Sequence, residues 1–202
     1  MEKAIIIFIK NPVPGKVKTR LAATVGNEKA LDIYLQLIAH TLGEAEEVDA
    51  DKFIFFSDVI DEAIGSNEKP FHKTVQQGKD LGEKMLNAFA NVFIKGYKKT
   101  IIIGTDCPGI NSAILNEAFE KLAVAEIVIG PAADGGYYLL GMTKLHTELF
   151  YNIEWGTNSV LWSTIEKCAK NKVSHSLLKA LSDVDEEKDL VHFEKLMKQK
   201  RV

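Results

Sequence analysis

Only two cysteines, Cys107 and Cys168, occur in the 202 residues. Two thiols cannot build the disulfide framework on which small secreted domains depend, so a reducing compartment, the cytoplasm by default, is expected. No apolar run approaches the length of a membrane span, and residues 1–9 are too short for a signal peptide and lack its cleavage pattern. An excess of one charge sign is missing too. The formal net charge is −3 with 26% charged residues, which speaks against both a nucleic-acid-binding surface and a disordered chain. A small molecule is the expected partner. Neither Gly-x-x-x-x-Gly-Lys-Ser/Thr nor Gly-x-Gly-x-x-Gly occurs, which argues against P-loop hydrolases and nicotinamide-dependent dehydrogenases. There is no internal repeat, low-complexity tract or linker, and the length fits a single domain over 1–202.

What the chain does contain is an alternation of short apolar runs with amphipathic stretches. Ala4–Ile9, Phe53–Ser57, Ile101–Ile103, Ile127–Ile129, Tyr137–Leu140 and Val173–Leu178 read as strands, several apolar enough to be buried on both faces. Apolar residues return at helical spacing from Glu28 to about Glu47, from Leu81 to Phe93, from Asn111 to Leu122 and around Val160–Cys168. A closing helix carries Leu190, Phe193, Leu196 and Met197 inward. Asp58–Pro70 is expected to hold a short polar helix and a turn. His40 falls on or beside the packing face of its helix, where a histidine without Cys or His neighbours reads as structural. Strand, turn and helix alternate as an α/β fold requires.

The chemistry collects in loops. The Ile101–Ile103 strand ends at Gly104 and Pro108-Gly109, which delivers Asp106 to an edge of the sheet. A carboxylate at the carboxyl end of a strand can hold a metal, a ribose or a phosphate-bound cation, although an Asp also opens turns without further purpose. After the first strand, Pro12, Pro14 and Gly15 exclude a helix in the loop Lys10–Leu21. Lys10, Lys16, Lys18 and Arg20 there place four cations within eleven residues. Like charges repel unless an anion lies among them. A nucleoside di- or triphosphate answers that need, Arg20 gripping in a bidentate fork and the lysines acting as point charges.

Asp134 precedes Gly135 and Gly136, which suits a hairpin turn and also the close approach of a ligand. Trp155 stacks on a base or sugar, or packs. Asp80 reads as an N-cap, with Gln77 and Gly78 just ahead of the positive end of its helix. Asp183 and Asp185 precede the last helix, where acids favour the helix dipole and could also complete a metal site begun by Asp106.

Five stretches, taken in order, resemble the bacterial DUF2064 family: Lys-x-Pro-x-Pro-Gly-x-x-Lys-Thr-Arg-Leu from Lys10, Gln-Gly-x-Asp-Leu-Gly-Glu-Lys-Met from Gln77, Ile-Gly-Thr-Asp-Cys-Pro-Gly from Ile103, Gly-Pro-Ala-x-Asp-Gly-Gly-Tyr-Tyr-Leu-Leu-Gly from Gly130, and Asp-Val-Asp-x-x-x-Asp-Leu from Asp183. That family is a glycosyltransferase-A-like (GT-A-like) branch of the nucleotide-diphospho-sugar transferases, related to the phospholactate guanylyltransferases. The resemblance implies a three-layer α/β/α domain with a mostly parallel mixed sheet, a nucleotide near the first loop, and Mg²⁺ or Mn²⁺. It puts Asp106 at the position of the metal-binding Asp and matches Asp185 to the second ligand, with Asp183 the alternative. Lys16, Lys18 and Arg20 match the phosphate-contacting loop, which lacks the Gly-Gly pair of sugar nucleotidyltransferases.

The expected nucleotide- and phosphate-binding set is Lys10, Pro14, Gly15, Lys16, Lys18, Arg20, Gln77, Gly78 and Thr105. Asp134, Gly135, Gly136 and Trp155 are the expected substrate contacts, and Asp134, Lys16 and Arg20 the expected catalytic groups. The implied activity is metal-dependent transfer from a nucleotide sugar to an acceptor that the sequence leaves open, with a nucleoside diphosphate leaving. Nucleotidyl transfer from a nucleoside triphosphate, releasing pyrophosphate, is the alternative. A non-catalytic nucleotide-binding regulatory protein is a third reading, and oligomeric state is open.

Overall fold

Ile5 to Ile7 and Ile101 to Ile103 are buried whichever way each side chain points, because a continuous apolar run is stable as a strand only when both faces of its sheet are covered. The structure, a computed structural model, describes residues 2–66 and 71–199, the side chains of 192 and 196–199 excepted. Its strands are β1 (Lys3–Ile9), β2 (Asp51–Phe56), β3 (His72–Val75), β4 (Lys99–Ile103), β5 (Ile127–Pro131), β6 (Tyr137–Met142) and β7 (His175–Leu177). Its helices are α1 (Thr19–Val25), α2 (Asn27–Glu46), α3 (Leu81–Phe93), α4 (Ser112–Lys121), α5 (Val160–Lys170) and α6 (Leu190–Gln199). No helix among the described residues is long and apolar enough to cross a membrane.

The strands form one sheet in the order β3-β2-β1-β4-β6-β5-β7. β6 runs antiparallel to both its neighbours and the other pairings are parallel. From β1 the chain moves outward through β2 and β3 and then returns to place β4 on the other side of β1, so the strand order reverses between β1 and β4. The crevice beyond the carboxyl ends at such a reversal is where open α/β sheets bind ligands.

Alternation along the strands splits the core into two layers. Ile5, Ile7, Ile101 and Ile103 pack with α2 and α4. Ala4, Ile6 and Ile102 pack with α3 and α5. This is the expected three-layer α/β/α sandwich with a mostly parallel mixed sheet. A third cluster, Leu21, Ala30, Ile33, Leu37, Val184, Leu190 and Phe193, fastens α1 and α6 to α2.

Three local expectations differ. The loop after β1 gives way to helix α1 at Thr19, since the prolines and Gly15 end well before it. β3 is a strand of four residues at the sheet edge with no fully buried side chain, too polar and short to announce itself. Residues 58–66 are bends and turns and not a helix; 67–70 and the inward placement of Leu196 and Met197 lie outside the described residues. The Asp134 stretch is a hairpin turn joining antiparallel β5 and β6.

Candidate active site

Three chain segments far apart in sequence meet beyond the carboxyl ends of β1 and β4. The turn after β4 carries Thr105, Asp106 and Cys107, and the backbone carbonyl of Asp106 accepts from the Val184 N–H at 2.9 Å. That bond seats the segment Ser182–Glu186 against the turn. Lys18 supplies the third side. Its backbone is left-handed, with φ 47°, and its ammonium pairs with Asp106 Oδ1 while donating to the Val184 carbonyl at 2.7 Å. Two residues on, Arg20 Nη1 lies 2.6 Å from Asp185 Oδ2. Tyr34 from α2 locks the start of the loop, accepting from the Lys10 N–H at 3.0 Å and donating to its carbonyl at 2.9 Å.

Three cavities surround this junction. The first, about 390 Å³, is walled by Phe8, Tyr34, Met85 and Tyr137, with Lys10, Gln76, Thr105 and Asp106 as polar points. The second, about 450 Å³, holds Lys18, Arg20, Asp106, Asp134, Asp183 and Asp185. The third, about 510 Å³, shares Arg20, Asp134, Asp183 and Asp185 and adds Trp155, Thr157 and Asn158. Because they share lining residues, they are lobes of one groove: apolar at one end, charged in the middle, polar at the other.

The middle is short of positive charge. Burial, with repulsion from Asp106, Asp134 and Asp185 and partial relief from Lys18, pushes the Asp183 carboxyl up to about 7. Burial is likewise the main cause that lifts the Tyr34 phenol to about 12. Among the described residues no three His, Cys, Asp or Glu side chains form a ready-made metal cage. A hard cation that shares its coordination with phosphate oxygens and water needs only one or two carboxylates. Asp106 and Asp185, lining one cavity in an excess of negative charge, fit such an ion.

Comparison with known proteins bears on the family and the fold. A family model described as "Uncharacterized protein conserved in bacteria (DUF2064)" matches residues 41–157, more than half of the chain. A crystal structure from Desulfovibrio desulfuricans G20 that carries the provisional name nucleotide-diphospho-sugar transferase is 30% identical, with 98% of each chain covered and a TM-score of 0.87. The chain belongs to the DUF2064 family. More distant likenesses show the fold alone. CMP:2-keto-3-deoxy-manno-octonic acid synthetase complexed with CTP is 12% identical over 99% of this chain and 100% of its own, with a TM-score of 0.60. Rv0371C of Mycobacterium tuberculosis H37Rv in complex with manganese is 13% identical over 98% and 99%, with a TM-score of 0.59. No curated protein matches by sequence.

Within this DUF2064 chain the groove gathers Lys10, Lys18, Arg20, Thr105, Asp106, Asp134, Gly136, Trp155 and Asp185 from the residues singled out in sequence. Pro14, Gly15, Lys16, Gln77, Gly78 and Gly135 do not line the three cavities. Each has a reason. Lys16 is exposed, next in the chain to the buried Val17. Gln76, bound through Nε2 to the Phe55 carbonyl at 2.9 Å, faces the groove in place of Gln77. A Cβ on Gly78 would lie 2.7 Å from the Lys84 amide nitrogen, so that glycine serves the start of α3. The space at Gly135 is taken by the Asn158 backbone and not left for a ligand. Lys18, expected on phosphate, has its ammonium on Asp106.

Asp80 caps α3 by accepting from the Glu83 N–H at 2.8 Å, and His40 Nε2 lies 2.9 Å from the Ile110 carbonyl, the structural role anticipated for it. Tyr34, Gln76, Tyr137 and Asn158 enter the groove without having stood out, because three of them sit in apolar or turn patterns that have an ordinary explanation.

Proposed function

We propose that this protein is a metal-dependent transferase that moves a sugar from a nucleotide donor to an acceptor hydroxyl, with a nucleoside diphosphate leaving. One observation carries the reading: Asp106 and Asp185, distant in sequence, line a single cavity together with Lys18 and Arg20, beside an apolar lobe at the sheet's reversal point. The apolar lobe suits a base, with Tyr34, Phe8 and Tyr137 as walls. The charged lobe suits the diphosphate. The third lobe, with Trp155 at its side and three carboxylates around it, suits a neutral polyhydroxyl acceptor better than a phosphorylated one.

In the reaction the bond between the anomeric carbon and the diphosphate oxygen breaks as the acceptor oxygen bonds to that carbon. Asp134, oriented by the Gly136 N–H at 2.9 Å from Oδ1, takes the acceptor proton. Lys18 and Arg20 share the charge that develops on the leaving diphosphate. Asp106 and Asp185 would hold Mg²⁺ or Mn²⁺, which when bound stabilises that same charge. The provisional name of the Desulfovibrio relative supports the donor class, and the manganese complex of a protein with this fold supports the choice of ion.

Nucleotidyl transfer is the second reading, favoured by the likeness to a CTP-bound synthetase over the whole chain. In it an acceptor phosphate attacks the α-phosphate of a triphosphate and pyrophosphate leaves. The backbone of the first loop weighs against it. Lys16 N–H donates to the Val13 carbonyl at 3.0 Å and Val13 N–H to Asn11 at 2.9 Å, so these amides do not point at a triphosphate.

A donor panel with Mn²⁺ tests both: nucleoside diphosphate released from a nucleotide sugar supports the first reading, and pyrophosphate released from a triphosphate replaces it with the second. Saturable binding without turnover on any donor would leave a regulatory nucleotide-binding protein. Asp106→Ala should lower turnover by about a hundredfold or more and abolish metal-dependent nucleotide binding; a variant that binds and turns over normally defeats the metal assignment.

A further inference from the structure

Each carboxylate assigned to the metal is already engaged by a cation assigned to the phosphates. Lys18 sits on Asp106 and Arg20 on Asp185. The Lys18 side chain is only 6% exposed, while that of Asp106 is 52% exposed. Its ammonium is therefore held and not swinging in solvent, with the Val184 carbonyl as a second partner. The left-handed backbone at Lys18, costly for a residue with a side chain, is what aims it there.

We propose that Lys18, with Arg20 in support, acts as an internal cation that occupies the metal-binding carboxylates until a diphosphate arrives, so that divalent cation and diphosphate load together and each binds weakly alone. This rests on the metal-dependent reading above and adds an order of assembly to it. The reasoning is a count of partners. A divalent ion taking Asp106 by itself would strand a nearly buried ammonium next to a double positive charge. A diphosphate drawing Lys18 away by itself would strand Asp106 beside Asp183, Asp134 and Asp185. When both arrive, the ammonium passes to phosphate oxygens, the carboxylates pass to the metal, and every charge keeps a partner. Such mutual dependence is a coupling free energy, and each ligand must tighten the other by the same factor. Lys18 carries most of it. The Arg20–Asp185 pair is solvent-exposed, at 74% and 46%, and contributes less.

The test is Mn²⁺ binding, followed by the electron paramagnetic resonance of free Mn²⁺, with and without inorganic pyrophosphate and with the solution Mn²⁺–pyrophosphate equilibrium included. Wild type should bind Mn²⁺ about tenfold or more tightly when pyrophosphate is present. Lys18→Met should bind Mn²⁺ alone about tenfold more tightly than wild type and lose most of the pyrophosphate enhancement. Arg20→Met, at an exposed site where truncation leaves no buried cavity, should shift the same way by about twofold to threefold. Lys16→Met removes an equal charge from the same loop without touching a carboxylate and should change Mn²⁺ affinity by less than about twofold. Equal or weaker Mn²⁺ binding by both Lys18→Met and Arg20→Met, or an equal gain in Lys16→Met, overturns the coupling. Failure of every protein to bind Mn²⁺ under either condition overturns the metal reading beneath it.

Discussion

A side chain on Gly135 would have nowhere to go. Its φ of +91° belongs to glycine, and a Cβ would fall onto the Asn158 carbonyl oxygen and 2.7 Å from its Cα. Gly136 is different: a Cβ there meets Asp134 Oδ1 at 3.2 Å, at ordinary backbone angles. Gly135→Ala should therefore cost about 1–3 kcal/mol in urea unfolding and loosen the 156–159 loop from the hairpin, while Gly136→Ala should stay within about 0.5 kcal/mol. Equal effects would mean that the close packing of hairpin and loop does not matter. Much of the groove was legible residue by residue, because Asp106, Asp134 and Asp185 each follow an apolar run that had to be a strand or lead into a helix. Partners were not legible. Nothing in the spacing of Lys18 says that its ammonium reaches Asp106, since that depends on a left-handed residue and on a bond from Val184 across the fold. The choice between Gln76 and Gln77 was closed for a similar reason. Both follow directly on β3, and a strand that is not recognised leaves unknown which way the residues at its end face.

At the level of elements, burial on both faces made β1, β4 and β5 readable, and helical spacing did the same for α2, α3 and α4. The elements that escaped, α1 and β3, are short and lie at the edges, where tertiary contacts rather than pattern decide the conformation. A different force holds the connection between β6 and α5. Lys144 Nζ lies 2.6 Å from Glu126 Oε1, and the buried His146 sets Nδ1 2.9 Å from Glu148 Oε1. The Lys144 hydrogen bond, with help from Ser174, holds the Glu126 carboxyl below its ordinary value of 4.5. For Glu148, burial pushes upward but the His146 hydrogen bond and charge outweigh it, and the carboxyl again lies low. A carboxylate depressed in the folded state contributes fully above its unfolded pKa and loses that contribution as pH falls through the folded one. Melting temperature should accordingly drop on acidification below the ordinary glutamate range. Glu148→Gln should lower it at neutral pH and flatten the acid limb; an unchanged limb in that variant would remove the connection from the account of acid stability.

Over the whole molecule, the two cysteines lie on opposite faces of the sheet. Cys107 packs in the layer with α2 and α4, and Cys168 in the layer with α3 and α5. Burial, with Asp183 adding repulsion, pushes the Cys107 thiol up to about 12, and burial with the charges of Glu148 and Glu126 pushes Cys168 up to about 11. The thiolate is the form that reacts, so both groups are protected twice, by cover and by protonation, while their layers stay closed. The layers share a floor. Ile101 and Ile103 project into one and Ile102 into the other from the same strand, so opening either face removes packing from the strand that supports its opposite. We therefore expect 1–202 to unfold as one cooperative domain. Pulsed alkylation across a urea series, with each cysteine resolved by peptide mass spectrometry, should give a single midpoint for both. Two separated midpoints would mean that the faces come apart independently, and that the groove at their common edge could lose one wall while keeping the other.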